Sequence, residues 1–506
     1  MTNDFTLLFP EFFVVALAFS VLTVDFFLPS SRKHLLSYVS ALGLVIALIA
    51  SLQYFWGEDA SLYSGLILVD NYAVFFKAFF LLLGAVAVLA SRDYVRQHLE
   101  HAGEYYAILT FAVLAMMLMA ASGELLTAYL ALELLSFCLY VLVSYDRYNP
   151  KSNEAGTKYI LLGAFSSALL LYGISQVYGL TGATRFDEIA QALVSAPELN
   201  PGLLLGVVLI IGGLGFKVAA VPFHMWAPDV YEGAPIPVTA FLAVGSKAAA
   251  FALILRLFTE ALIPVVADWQ VLLVVMAALT MILGNLMVLV QRNIKRILAY
   301  SGIGHVGYLL MGVAAVATVE SDGSILVDTS HLATNGVILH LVAYSVTTML
   351  AFSCISAVYN VIQEEEIDKF AGIARRSPMV ALALAASLFS LAGLPIFAGF
   401  TSKFYLFNAA AVQGLLGLAG LAMFTSLISL YYYLVIVRQM YIEPAVDVTP
   451  ITVPRLTSAI VVVLLIAMVL LGVYPAPVVD AIQSASNALI SSDAVTQLAV
   501  ASGTTR

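Results

Sequence analysis

The sequence predicts an all-α polytopic membrane protein with about fourteen transmembrane helices, including broken helices 7 and 12 and two inverted five-helix repeats. Three observations predict it. The 506 residues are 62% hydrophobic and 10% charged, with a mean hydropathy of +0.99, whereas a soluble domain is about 45–50% apolar and about 25% charged. Apolar runs of about twenty residues, the length of a membrane-spanning helix, recur along the whole chain. Lysine and arginine crowd into six of the seven connections that follow odd-numbered runs. The same figures exclude a soluble enzyme. A net charge of −9, a pI of about 5.2 and the lack of a basic patch exclude a nucleic-acid binder. The 11% aromatic content excludes disorder. Barrel strands alternate apolar and polar residues and do not make such runs.

The spans, in order, are 8–28, 35–56, 70–91, 105–121, 125–145, 159–179, 203–222, 237–258, 271–290, 297–316, 337–360, 379–412 (split), 416–437 and 456–475. Met1 to Glu11 holds no lysine or arginine, so it lacks the basic region of a secretory signal, and the first span is expected to be retained. Connections after the odd-numbered spans carry fifteen basic residues; the other set carries only Arg185 and Arg506. By the positive-inside rule both termini are expected on the outer side.

Five basic residues remain in or near spans: Lys77, Lys217, Lys247, Arg256 and Lys403. A charge at the bilayer centre costs about 2.5–3.5 kcal/mol on insertion scales, so such groups face a protein interior or a wet cavity. Lys77 is expected to snorkel or form an ion pair, and Arg256, near a helix end, to snorkel in a structural role. Glu133, Lys217, Lys247 and Lys403 lie deep in their spans. Burial lowers a lysine's pKa and a carboxylate neighbour raises it, so a lysine that gains and loses its partner can pick up and release a proton. Three lysines and one glutamate on separate helices suit a proton relay. A static buried ion pair is the alternative for these residues.

Proline breaks reinforce this reading. Pro222 follows Lys217 in a segment holding Gly212, Gly213 and Gly215, and Pro395 precedes Lys403. Proline removes a backbone donor and clashes with the preceding turn, and discontinuous helices near the midplane mark transport sites. Helices 1–3 occupy 1–91, a first five-helix group 104–258, a second 270–440, and helix 14 with its tail 456–506. In both groups the fourth helix carries a proline break and a lysine. Five is odd, so the second group is expected to be inverted with respect to the first.

Smaller signals complete the reading. Gly302, Gly304 and Gly307 read GxGxxG, but inside an apolar span, where small residues let helices pack closely rather than bind a nucleotide. His305 lies in the same span near Lys295 and Tyr300, and is as often a core residue as a proton shuttle. His224 follows Pro222 and would admit protons or cap a helix end. His340 has no recognisable partner, and Glu364, Glu365 and Glu366 read as a solvated loop face. Cys138 and Cys354 stand alone, which rules out a disulfide framework, a CxxC pair and iron–sulfur spacing.

Three segments carry a resemblance: PFHMWAPDVYEGAPIPVTAFLAVGSKAAAF (Pro222 to Phe251), QRNIKRILAYSGIGHVGYLLMG (Gln291 to Gly312) and LAGLPIFAGFTSKFYLF (Leu391 to Phe407). Together they resemble the antiporter-like N subunits of respiratory complex I, the proton-pumping NADH:quinone oxidoreductase, over essentially the whole chain. The sister L and M subunits are similar around PFHMW, but the N type continues with DVYEGAPIP and carries Lys247 after AVGS; the M type usually has a glutamate at Lys403. Multi-subunit cation/proton antiporters and membrane hydrogenases carry relatives of the fold, and a subunit of one of these is the alternative. The resemblance implies that separation of Glu133 from Lys217 drives the cycle, that Lys247 passes the proton laterally and that Lys403 releases it outward, with His305 and Lys295 on the connecting path. It implies that this chain binds no cofactor or metal, and that NADH, FMN, iron–sulfur clusters and quinone belong to other subunits. The implied partners are the L and M types, small membrane subunits and the lipid bilayer, in a bacterial inner membrane.

Overall fold

A computed structural model of the chain describes residues 4–195, 200–319, 325–326, 330–445 and 449–490. Among them, thirteen helices are long and apolar enough to cross a membrane. The first seven are α1 (Phe9–Phe27), α2 (Leu35–Phe55), α3 (Asn71–His98), α4 (Ala102–Ala121), α5 (Leu125–Val143), α6 (Pro150–Thr181) and α7 (Pro201–Val218). Then come α8 (Ile236–Ala261), α9 (Val266–Val288), α10 (Ile294–Ala314) and α11 (Ser330–Ile362). Two shorter helices, α12 (Pro378–Ala392) and α13 (Ala398–Val412), follow each other across Pro395. They supply the split span that completes the expected fourteen. The series ends with α14 (Leu416–Tyr441), α15 (Arg455–Val473) and the shorter α16 (Ala476–Ile490).

Polar residues set where these apolar helices begin. The Asp70 side chain caps α3 by accepting from Ala73 N at 2.7 Å, and Glu124 caps α5 by accepting from Thr127 N at 2.6 Å. Asn149 and Asn200 cap α6 and α7, each followed by proline at the first helical position, where a missing N–H costs nothing. A hairpin of β1 (Ala60–Leu62) and β2 (Ile67–Val69), antiparallel with Leu62 opposite Ile67, joins α2 to α3.

The bundle is apolar at its rim and through most of its core, with a few charged side chains buried in that core. Helix α8 is buried along its whole length and α10 everywhere but at Arg296, while Phe26, Phe27, Leu161, Phe165 and Val463 are exposed on α1, α6 and α15. Lipid accepts such a rim; the charged groups sit in the protein interior. The three glycines of GxGxxG make the close packing that the sequence suggests. An added Cβ at Gly284 of α9 would fall 2.7 Å from the Gly304 nitrogen.

The two structural cations keep their structural roles, but neither snorkels. Lys77 Nζ lies 2.6 Å from Glu11 Oε1, both buried. Arg256 is 0% exposed. It makes a two-pronged pair with Asp70 at 2.9 Å, a bond to Glu260 at 2.9 Å and one to the Ala120 carbonyl at 3.1 Å. Arginine's rigid fork suits this site, and an interior partner outcompetes a stretch to the surface.

Candidate functional site

Each helix break has a lysine beside it: Lys217 at the end of α7, and Lys403 reaching back from α13 to the end of α12. Helix α7 stops one residue after Lys217, where Ala219 takes a left-handed φ of +62°. At the second break Ile396 does the same at +81°, beside Gly393 at +89°. A Cβ disfavours that region by roughly 1–2 kcal/mol, so surrounding packing must hold both turns, and such strain clusters at functional sites. The breaks also leave helix C-terminal carbonyls without intrahelical partners, the negative end of each half-helix dipole. A cation is the matching occupant.

Lys217 is 4% exposed, and its Nζ donates to Ser136 Oγ on α5 at 2.8 Å. Glu133, one turn earlier on α5, turns to the Ser167 hydroxyl of α6. The two expected partners are thus not paired: a hydroxyl replaces the carboxylate at the ammonium. Glu133 is only half-buried. Leu130 and Phe137, beside it on α5, are exposed.

Lys247 begins the straight part of α8 between two wider π turns, Leu242–Ser246 and Leu257–Ala261. Such turns re-aim side chains and recur at functional sites. Its Nζ has no hydrogen-bond partner among protein atoms and lies 5.7 Å from the Tyr231 ring and 5.9 Å from the Tyr344 ring. It sits against α10 at Gly302, where an added Cβ would come within 2.7 Å of it. Tyr344 packs on His305, with ring centroids 4.9 Å apart. His305 Nδ1 meets His340 Nε2 at 3.0 Å, and His340 Nδ1 meets Ser402 Oγ at 3.1 Å. Next in the chain is Lys403, whose Nζ donates to the Leu391 carbonyl at 2.8 Å, the Ala392 carbonyl at 3.2 Å and Ser426 Oγ at 2.8 Å. Lys247, His305, His340 and Lys403 therefore form a buried polar line through the middle of the bundle.

At one end of the bundle, Lys295 lies in the first turn of α10, 3% exposed, 2.6 Å from Glu365. Tyr300 is buried further along α10. Nearby, Asp229 accepts from Lys158 at 2.7 Å and Arg296 at 2.8 Å, and Glu232 accepts from Arg296 at 3.0 Å and Lys151 at 3.2 Å. Partial burial pushes both carboxyls up, but these hydrogen bonds and charges outweigh it and hold both below the ordinary range. Half-buried His224 sits beyond Pro222, where burial lowers its pKa. Its Nδ1 has no protein partner.

Sequence reasoning missed two of these groups. His340 had no visible partner because its partners lie on α10 and α13, 35 and 62 residues away. Glu365 read as solvated because its lysine is 70 residues earlier. Among the described residues, no cluster of three or more His, Cys, Asp and Glu is arranged to hold a metal ion.

Residues 122–429 match the family described as NADH:quinone oxidoreductase/Mrp antiporter, TM. The chain is 40% identical over 496 residues to NADH-quinone oxidoreductase subunit N of Desulfitobacterium hafniense, covering 97% of this chain and 100% of that one. It is 43% identical over 476 residues to the subunit N of Moorella thermoacetica, covering 94% and 96%. A chain of respiratory complex I from Thermus thermophilus superposes with a TM-score of 0.77 at 31% identity, covering 94% of this chain and 99% of that chain. A chain of the Mrp complex from a Dietzia species shares the fold, with a TM-score of 0.83 at 20% identity, over 98% of this chain and 99% of that one.

Proposed function

The chain belongs to the NADH-quinone oxidoreductase subunit N family, and from that premise we propose that protons cross it through Glu133, Lys217, Lys247, His305, His340 and Lys403. It is a membrane subunit of a proton-translocating NADH:quinone oxidoreductase, driven by quinone reduction in other subunits. NADH, FMN, iron–sulfur clusters and quinone are assigned to those subunits. Its neighbours are assigned as the antiporter-like L and M types and small membrane subunits of a bacterial inner membrane. The basic end of the bundle, with Lys151, Lys158, Lys295 and Arg296, is assigned to the cytoplasm. Residues 104–258 and 270–440 are read as two inverted five-helix units, 1–91 as helices 1–3, and 456–506 as the last helix and tail.

The observation that carries this reading is the buried line from Lys247 to Lys403, two lysines deep in a bilayer-spanning bundle with Tyr344, His305, His340 and the Ser402 hydroxyl between them. A lysine amine binds and releases a proton where an arginine cannot. Lys217 Nζ donates to Ser136 while Glu133 is held by Ser167, so the two side chains are one helix turn from direct contact rather than in it. Approach of a carboxylate favours the charged form of an amine. Each charge moved works against about 2.3 kcal/mol per 100 mV of membrane potential. The half-exposed carboxylate of Glu133, flanked by exposed Leu130 and Phe137, is too costly to leave against lipid. This supports a neighbouring membrane subunit covering that face.

The test is NADH-to-quinone electron transfer and proton translocation in native membranes carrying Lys217→Ala, with the assembled complex quantified in parallel. The expected result is normal assembly with both activities reduced. If both persist while sodium/proton exchange is lost, the chain works as an antiporter subunit and the reading is wrong.

A further inference from the structure

The mouth of the basic end holds a polar cavity of about 180 Å³, with room for several waters. Its central feature is the pair between Lys295 and Glu365. Lys295 Nζ is 2.6 Å from Glu365 Oε1 and donates to the Ala234 carbonyl at 3.0 Å. The carboxylate side chain is 17% exposed, against 3% for the lysine, so the carboxylate stands between solvent and a buried ammonium. It is held there firmly. Asn293 Nδ2 donates to Glu365 Oε2 at 3.0 Å. Ile294 N donates to the Glu365 carbonyl at 2.9 Å, and Ile367 N to the Arg292 carbonyl at 3.0 Å. The loop after α11 is thereby stitched onto the start of α10. Glu364 and Glu366 flank the carboxylate on its own loop. Glu232, Lys151, Asp146, Tyr94 and Tyr359 face the cavity from the other elements.

The pair also points at the next group inward. Lys295 and Gly302 are seven residues apart, so they share a face of α10 about 10 Å apart along its axis. Lys247 Nζ rests on that face at Gly302. Between them stands the short helix Trp226–Gly233, which ends at the Ala234 carbonyl that receives Lys295. The buried hydroxyl of Tyr231 on that helix has no protein hydrogen-bond partner, and neither does Lys247 Nζ. Buried polar groups without protein partners are places where ordered water bridges.

We propose that Glu365 is the proton-accepting gate through which solvent at the basic end charges Lys247, with Lys295 as the intermediate carrier. This rests on the proton-translocating reading above and assigns its inner mouth. A hydronium in the cavity protonates the Glu365 carboxylate, which cancels the negative charge holding the Lys295 ammonium. Lys295 passes its proton through water to a neutral Lys247. The Lys295 amine then takes the proton from Glu365, and the ion pair re-forms. One proton has left the cavity and one has arrived at Lys247. A closed ion pair between cycles blocks return, because a proton leaving Lys247 finds Lys295 already charged.

The experiment uses the whole complex in inverted membrane vesicles carrying Glu365→Gln, Glu365→Asp or Lys247→Ala. NADH-driven proton translocation is followed from about pH 6 to about pH 8.5, normalised to assembled complex. With Glu365→Gln, translocation is expected to fall about a hundredfold near pH 8, the lower end for loss of a proton-transfer group. It should recover toward the parent near pH 6, where free protons are abundant. Glu365→Asp should stay within about twofold of the parent, because it keeps a titrating carboxylate. If Glu365→Gln follows the parent profile while Lys247→Ala abolishes translocation, the gate is refuted and the proton path stands. If the Gln and Asp variants lose the same pH-independent factor, Glu365 is only a clamp on α10, and the gate is again refuted. If Lys247→Ala translocates normally, the underlying proton-path reading fails, and the gate with it.

Discussion

Replacing Gly302 by alanine separates the proposed proton path from the scaffold that carries it. The added Cβ would stand 2.7 Å from Lys247 Nζ and 2.7 Å from the Tyr344 hydroxyl, where ordinary contact begins at 3.4 Å. Each group must therefore retreat by about 0.7 Å, or swing to another rotamer. Both are the far ends of flexible side chains, so the cost to the fold is expected to stay below about 1.5 kcal/mol. The functional cost is larger, since a misplacement of about 1 Å at a reacting group costs up to about a hundredfold. The expected result for Gly302→Ala is near-parental assembled complex with proton translocation reduced about tenfold. Gly307→Ala on the same helix is the contrasting case. Its Cβ would meet backbone, Met281 N at 2.8 Å and the Ala277 carbonyl at 3.0 Å. Backbone cannot swing aside, so this variant is expected to lose about 1–3 kcal/mol and to lower the amount of assembled complex. Native gels measure assembly, and dye-quenching in vesicles measures translocation. Unimpaired translocation by Gly302→Ala would show that the position of Lys247 against α10 is irrelevant to transfer. Equal assembly defects in the two variants would refute the distinction between yielding side chains and unyielding backbone.

Two further expectations concern stability. Arg256→Met leaves Asp70 and Glu260 facing each other without their shared cation, and breaking a buried pair from one side costs about 3–5 kcal/mol. The purified complex should lose thermal stability or fail to assemble, and a midpoint unchanged within error would refute the account. Asp229 is held below the ordinary carboxylate range, so its contribution is fully present above that range and is lost as pH falls through its lowered folded-state value. Its side chain is 36% exposed, and such pairs are worth about 0.2–1 kcal/mol. Asp229→Asn should therefore lower the thermal midpoint slightly at neutral pH and flatten the decline below about pH 4. Parallel curves for parent and variant would remove Asp229 from the acid response.

Much of the architecture was legible because membrane solubility imposes coarse rules on sequence. Each span declares itself by apolar length, and a lysine or glutamate inside one stands out against that background. The breaks at Pro222 and Pro395 were visible because proline has one backbone consequence wherever it stands. Partnerships were not legible. Asp70 meets Arg256 across 186 residues, and Lys77 reaches back to Glu11 on another helix. The expected snorkelling of Arg256 failed because reach toward water can be read from one helix, whereas an interior carboxylate on another cannot. The same limit made Glu365 look like loop solvent surface. The expectation that Glu133 and Lys217 act as partners drew on likeness to relatives; their choice of Ser167 and Ser136 in this arrangement depends on helix rotation. The π turns around Lys247 left no trace in composition, since they need only one extra residue per turn.

The bonds at Lys403 count donors as well as charge. An ammonium has three N–H donors, and three acceptors surround it: the Leu391 and Ala392 carbonyls at the end of α12 and the Ser426 hydroxyl. The neutral amine has only two N–H donors, so one acceptor loses its partner whenever the proton leaves. If the loser is a carbonyl, the end of α12 is unfastened from α13. Proton occupancy at one nitrogen is thereby written into the joint between two half-helices, as a latch that is closed when loaded and slack when empty. On the proposed proton path, loading and unloading Lys403 would tighten and loosen that joint through the same few atoms.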